Sequence, residues 1–121
     1  MSDAYTGGCA CGAIRYEVSG EPMAQNICQC RQCQRQTGTG HATFLAFSGA
    51  DVSVQGKAGY WETVGENGTV KQAAFCPTCG SPVYFTLPAL PDIFLLLAGN
   101  LDDPGRYRPQ ALQDRPSRSE G

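Results

Sequence analysis

Short segments in which apolar and polar residues alternate recur along the chain, separated by turns that contain glycine or proline. In the clearest one, Ile14, Tyr16 and Val18 are apolar, whereas the residues at 15 and 17 are charged. A period of two residues is typical of a β-strand with one buried face. Similar β-type segments follow at 23–28, 41–47, 52–55, 60–64, 69–75 and 83–86.

Two segments depart from this alternation. Residues 93–98 form a continuous apolar run, which predicts a strand that is buried on both faces. Residues 31–37 are polar and contain several helix formers, and Gly38 is placed to end a short helix. Many short strands with one short helix predict a mainly β fold.

Turn-forming and polar segments define the limits of the predicted domain. Glu66-Asn67-Gly68 predicts a hairpin turn between the strands at 60–64 and 69–75, because Asn and Gly both tolerate positive φ. From Gln113 onward the sequence shows no apolar pattern. We expect one domain over residues 1–121, with a core from about 5 to 112 and a flexible tail at 113–121.

Composition narrows the class of protein. The chain has 121 residues, of which 41% are hydrophobic and 17% are charged, as in a globular protein. A net charge of −2 gives no electrostatic support for a nucleic-acid partner. The longest apolar run is too short to span a bilayer, and residues 1–6 do not have the pattern of a signal peptide. We therefore expect a cytoplasmic protein, in which clustered cysteines are metal ligands or catalysts rather than disulfides.

The densest chemical signal is the run Cys28-Gln29-Cys30-Arg31-Gln32-Cys33. Three thiols within six residues can converge on one point if the chain turns there. Convergent thiolates select soft or borderline metals such as zinc. Three protein ligands with one exchangeable position are the pattern of a catalytic zinc. The alternatives are a metal site that another residue closes, or an iron–sulfur cluster.

A second pair, Cys76 and Cys79, has the spacing of a metal-binding knuckle and is followed by a glycine. The alternative is a redox dithiol, which requires a helix amino terminus to lower the first thiol's pKa, whereas a strand is predicted here. A knuckle needs two more ligands. Cys9 and Cys11, predicted in an extended segment after a bend at Gly7-Gly8, can supply them and form a structural site. In another partition, Cys9 or Cys11 completes the cluster around Cys30.

Three charged or titratable side chains lie close to the central cysteines in the sequence. His41 is the only histidine, and it is a candidate fourth ligand or proton carrier or else an ordinary structural residue. Arg31 and Arg35 have helical i, i+4 spacing beside the anionic cluster. They are candidates for binding substrate carboxylates, and the alternative is that they are solvated surface residues.

Three motifs in this order resemble the glutathione-dependent formaldehyde-activating enzyme family, which also includes centromere protein V. The motifs are Gly8-Cys-x-Cys-Gly12 leading into Ile14-Arg15-Tyr16, Cys28-x-Cys-x-x-Cys33 with Thr37-Gly38, and Phe75-Cys-x-x-Cys-Gly-Ser81. The resemblance implies a β-tent fold of curved antiparallel sheets and two zinc ions per chain. It implies structural zinc at Cys9, Cys11, Cys76 and Cys79, and catalytic zinc at Cys28, Cys30 and Cys33.

The namesake activity of the family joins glutathione and formaldehyde into S-hydroxymethylglutathione and is classed as a carbon–sulfur lyase. We therefore expect a zinc-dependent lyase whose partner is a small-molecule thiol similar to glutathione, with no nucleic-acid or membrane partner. A non-catalytic zinc scaffold that binds a protein partner is the first alternative. A thiol-redox or iron–sulfur protein is the second.

Overall fold

The computed structural model describes residues 4–65 and 68–109, together with the backbone of 111–113. Within these residues the chain forms one α-helix, α1 (Arg31–Thr37), and two 3-10 turns, Ala98–Asn100 and Pro104–Arg106. The strands are β1 (Tyr5–Gly8), β2 (Arg15–Ser19), β3 (Ala24–Cys28), β4 (Ala42–Ser48), β5 (Asp51–Gln55), β6 (Gly59–Val64), β7 (Val70–Phe75), β8 (Pro82–Thr86), β9 (Ile93–Leu97) and β10 (Ala111–Gln113).

These strands form two sheets, which confirms the predicted mainly β fold. The smaller sheet has three antiparallel strands in the order β1-β2-β5. The larger has seven strands in the order β10-β3-β4-β9-β8-β7-β6. All its pairs are antiparallel except that β10 runs parallel to β3. The sequence pattern missed β10, because a three-residue strand that depends on a distant partner leaves no periodic signal.

The backbone conformation predicted for the first cysteine-containing segment was wrong. Gly7 and Gly8 do not bend the chain but lie in β1, paired with β2. A Cβ at Gly7 would collide with the Asn100 carbonyl oxygen and the Tyr16 ring, so glycine is required there by close packing. Cys9 to Gly12 then form a turn rather than an extended segment, and the Gly12 amide donates to the Cys9 carbonyl at 3.2 Å.

The helix prediction is confirmed at both ends. Cys30 is the N-cap of α1, and its sulfur accepts a hydrogen bond from the Cys33 amide. Gly38 ends the helix with a φ of 75°, a left-handed conformation that favours glycine. No helix in the described part of the chain is long and apolar enough to cross a membrane.

The predicted hairpin is present, since β6 and β7 pair over their whole length. Of its turn, residues 66 and 67 lie outside the described residues, and Gly68 has the expected positive φ of 86°. Most of the predicted flexible tail, from residue 114 onward, also lies outside them. Gln113 itself ends β10 rather than beginning the tail.

The centre of the seven-stranded sheet is buried on both faces, and the sheet separates two apolar clusters. Phe47 and Leu96 lie on the face toward the small sheet, in a cluster that also contains Val18 of β2. The opposite face carries a second cluster, and we call it the cysteine face. Its buried residues are Cys28, Cys30, Cys33, Ala42, Phe44, Ala73, Phe85 and Leu97. The prediction that β9 is buried on both faces is therefore confirmed, because its side chains enter both clusters.

A pair of matched leucine truncations tests this assignment of the core. Leu45 is 0% exposed and Leu90 is 55% exposed. Leu45→Ala should lower the free energy of unfolding by about 2–5 kcal/mol, because it leaves a cavity in a packed core. Leu90→Ala should change it by no more than about 0.5 kcal/mol. Urea unfolding of both variants measures the difference, and similar losses would contradict the assignment.

Candidate metal centres

Four cysteines from two distant turns converge on one point. Cys9 and Cys11 lie in the turn between β1 and β2, and Cys76 and Cys79 lie in the loop between β7 and β8. Their four sulfur atoms all lie within 4.8 Å of one another. The Cys9–Cys11 and Cys11–Cys76 Sγ separations are both 3.7 Å. A zinc–sulfur bond of about 2.3 Å requires sulfurs about 3.8 Å apart at the corners of a tetrahedron, so this four-cysteine cluster fits zinc.

The backbone around this cluster supplies hydrogen-bond donors to sulfur. The Ile14 amide donates to Cys9 Sγ at 3.2 Å, and the amides of Thr78 and Cys79 donate to Cys76 Sγ at 3.4 Å each. The hydroxyl of Ser81 lies 3.2 Å from Cys79 Sγ. Hydrogen bonds from the Ser81 hydroxyl and amide lower the pKa of Cys79 to about 5. Donors of this kind stabilise thiolates, which are the form that binds metal.

The four-cysteine cluster lies between the two sheets. The β1–β2 turn belongs to the small sheet, whereas the β7–β8 loop belongs to the large one. Cys11 and Cys76, whose sulfurs are in contact, are 65 residues apart in the sequence. A shared metal ion would therefore cross-link the two sheets.

Three further cysteines converge where β3 passes into α1. Cys28 ends β3, Cys30 caps α1, and Cys33 lies in its first turn. Cys28 Sγ lies 3.5 Å from Cys30 Sγ and 3.0 Å from Cys33 Sγ. All three residues are buried, with exposures of 6%, 5% and 3%. An all-sulfur donor set within 4.8 Å fits a soft or borderline metal, although the 3.0 Å separation is shorter than a zinc tetrahedron requires.

Both clusters contain cysteines with a raised pKa. In the four-cysteine cluster, a backbone hydrogen bond from Ala13 lowers the pKa of Cys11, but the hydrogen bond with Cys9 and burial raise it to about 11. A hydrogen bond with Cys28, together with burial, raises the pKa of Cys33. Burial also raises the pKa of Cys30, although the Cys33 amide opposes this shift. A metal ion that binds at either cluster must therefore displace protons from thiols.

The described residues place no histidine or carboxylate ligand in either cluster. His41 is exposed, and its carbonyl oxygen accepts hydrogen bonds from the hydroxyls of Thr37 and Thr39. Arg31 and Arg35 lie on exposed positions of α1, and Arg31 donates to the Gln34 side chain.

The partition in which Cys9 or Cys11 completes the central cluster is wrong, because the two groups are separate.

A cation that was not among the predicted site residues, Lys71 of β7, acts on the three-cysteine cluster. Its positive charge opposes the rise in the pKa of Cys33. Its Nζ lies 5.3 Å from the centre of the Phe44 ring and 6.0 Å from that of Phe85. The sequence alone carries no signal for this position, because it depends on the pairing of β7 with β8 and on Phe44 of a third strand.

Comparison with known proteins identifies the family. A family model described as glutathione-dependent formaldehyde-activating enzyme matches residues 4–114. The chain belongs to this family. No curated protein sequence matches the chain. The crystal structure of a Rhodobacter sphaeroides protein is similar, with a TM-score of 0.60 and 22% identity over 92% of this chain and 97% of that one. At this level of identity the similarity concerns the fold alone.

In this member of the formaldehyde-activating family, one buried polar group beside Lys71 has no partner. Thr63 of β6 pairs with Lys71 of β7 across the two strands. Thr63 is 3% exposed. Among the described residues, its Oγ1 atom is the buried side-chain oxygen without a hydrogen bond. Burying a hydroxyl without a hydrogen-bond partner costs about 1–3 kcal/mol of folding free energy, so Thr63 destabilises the fold at this point.

A cavity of about 450 Å³ lies beside Cys9 of the four-cysteine cluster. Its polar side chains are already paired. Asp102 accepts hydrogen bonds from Arg15 and from the Thr6 hydroxyl. Asn100 accepts from Tyr16 and donates to two backbone carbonyls. The two charged side chains in its lining, Arg15 and Asp102, therefore neutralise each other.

The first prediction from this geometry separates the two clusters by stability. Cys76→Ser should yield unfolded or insoluble protein, because a structural zinc contributes on the order of 10 kcal/mol to folding. Cys30→Ser should remain folded, because its cluster joins only neighbouring segments of chain. Soluble yield and far-ultraviolet circular dichroism measure both effects. Equal loss of structure in the two variants would show that the division is wrong.

The second prediction concerns metal release on acidification. Protons compete with a metal ion for sulfur at both clusters, but the three-cysteine cluster would hold its metal through one protein sulfur fewer. As the pH falls, this cluster should therefore release its metal before the four-cysteine cluster does. A metal-sensitive dye can record release against pH, with Cys30→Ser as the control that lacks the first step. Simultaneous release, or the opposite order, would contradict the assignment.

Proposed function

We propose that this protein is a zinc-dependent carbon–sulfur lyase that acts on glutathione or a related thiol and its formaldehyde adduct. The observation that carries the proposal is the three-cysteine cluster, a buried set of convergent sulfurs to which the described residues add no fourth ligand. Such a donor set leaves one ligand position to an exogenous group. Membership in the family supports a thiol as that group and formaldehyde as the second substrate.

The two clusters divide between structure and chemistry in this proposal. Cys9, Cys11, Cys76 and Cys79 would hold a structural zinc that joins the two sheets. Cys28, Cys30 and Cys33 would hold the catalytic zinc. A zinc ion bound there would favour the deprotonated form of an incoming thiol and orient its sulfur.

The reaction requires few changes in bonding. The sulfur of the thiol attacks the carbonyl carbon of formaldehyde, and a carbon–sulfur bond forms as the carbonyl π bond breaks. The proton that leaves the thiol ends on the former carbonyl oxygen, so atoms and charge balance. The buried setting of Cys28, Cys30 and Cys33 keeps bulk water away from the reacting sulfur.

The geometry does not support the redox alternative for Cys76 and Cys79. A low-pKa dithiol of that type relies on a helix that begins at the first cysteine. Here Gly80 has a φ of 79°, and the chain enters β8 at Pro82 instead. The low pKa of Cys79 has a local cause, the hydrogen bonds from Ser81.

The experiment that tests this function compares two ligands that differ only at sulfur. Glutathione should bind the zinc-loaded protein saturably and release a proton, because coordination favours the thiolate. S-methylglutathione has no ionisable thiol and should bind at least about ten-fold more weakly. Isothermal titration calorimetry in buffers of different ionisation enthalpy measures both affinity and proton release.

The control variant is Cys30→Ser, which removes one sulfur from the three-cysteine cluster. It should lose the difference between the two ligands and should not catalyse adduct formation. Equal affinity of the unsubstituted protein for glutathione and S-methylglutathione would contradict the proposal. That result would favour a zinc scaffold without catalysis.

A further inference from the structure

The cysteine face of the large sheet continues beyond the three-cysteine cluster to the edge strand β6. Ala73 of β7 pairs with Phe85 on one side and with Trp61 on the other. Residues that pair across strands share a face, so Trp61 lies on the same face as the cluster. Trp61 is 55% exposed, whereas Ala73 and Phe85 are buried beside the cysteines. The face therefore leads from the buried sulfurs to an exposed aromatic side chain.

Lys71 lies on this face between the cluster and the edge strand. It is two residues before Ala73 and is half-buried. Its ammonium group is near the rings of Phe44 and Phe85, which contact each other edge to face with centroids 5.5 Å apart. Both rings belong to the apolar cluster that contains the three cysteines. The two rings thus hold the cation close to the candidate metal centre.

The described part of the protein surrounds Lys71 with aromatic rings and thiols rather than with acidic side chains. No carboxylate among the described residues forms an ion pair with it, whereas Arg15 is paired with Asp102. Thr63, its cross-strand neighbour, has a hydroxyl without a partner. A half-buried cation without an anion beside it attracts anionic ligands. The same face therefore offers a cation without a carboxylate partner near the sulfur cluster.

We propose that Lys71 binds a carboxylate of the thiol substrate, so that the three-cysteine site selects anionic thiols over neutral ones. This inference rests on the proposed function and names the substrate group that the site recognises. The thiol sulfur would reach the cluster while the carboxylate meets the ammonium group over Phe44 and Phe85. Trp61 would lie at the outer end of the bound molecule.

The test uses the fluorescence of Trp61, which is the only tryptophan in the chain. The zinc-loaded protein is titrated with glutathione and with its diethyl ester, in which both carboxylates are blocked. Lys71→Met should raise the Kd for glutathione about ten-fold or more, because it removes a charge-assisted hydrogen bond. The same variant should bind the ester as the unsubstituted protein does. Lys71→Arg should keep the preference for glutathione, because it keeps the cation.

The matched control is Lys57→Met, which removes the same charge from an exposed loop position. It should leave both Kd values unchanged. Zinc content is measured in every variant. If Lys71→Met loses zinc from the three-cysteine cluster, Lys71 compensates the charge of the cluster rather than binding substrate, and the inference is overturned.

The remaining outcomes separate this inference from the proposed function. If the unsubstituted protein binds glutathione more tightly than S-methylglutathione, but Lys71→Met binds it equally well, only the role of Lys71 is overturned. If the unsubstituted protein binds neither glutathione nor its ester, by fluorescence and by calorimetry, the proposed function and this inference are both overturned.

Discussion

The convergence of four sulfurs between the two sheets is the constraint on which the rest of the structure depends. The small sheet contributes Cys9 and Cys11, and the large sheet contributes Cys76 and Cys79. Between the sheets lies the larger apolar cluster, which includes Val18 from one side and residues of β4 and β9 from the other. Burial of this cluster and closure of the sulfur site therefore require the same arrangement of the two sheets. A chain of 121 residues has a limited core, and a metal cross-link at the margin of that core would add to its stability.

The three-cysteine cluster lies on the other side of the large sheet and depends on local structure. Cys28 is positioned by β3, and the N-terminal turn of α1 brings Cys30 and Cys33 to it. Because these ligands lie within six residues, a metal there does not need to hold distant strands together. In the proposed function, a metal bound at this cluster would therefore exchange its fourth ligand at little cost in global stability. Lys71 and the Phe44–Phe85 pair supply a charged and aromatic boundary on the sheet side.

Local signals predicted most of the fold and both cysteine groups. Cys30 and Gly38 cap α1, whose first and last residues were predicted correctly from the sequence. This was possible because caps act through neighbouring backbone groups. Gly7 and Gly8 were misinterpreted, because a glycine that permits close packing looks like one that permits a turn. Lys71 could not be found, because its nearness to Cys33 depends on the pairing of β7 and β8 and on Phe44 of a third strand. Long-range register of this kind leaves no trace in a single sequence.

The most direct test of the division between the clusters is a crystal structure of the zinc-loaded protein, with anomalous diffraction data collected on both sides of the zinc absorption edge. The account predicts two zinc peaks, one bound by Cys9, Cys11, Cys76 and Cys79 and the other by Cys28, Cys30 and Cys33 with a water or thiol as the fourth ligand. A single peak at the four-cysteine cluster, or a fourth protein ligand at the three-cysteine cluster, would contradict it.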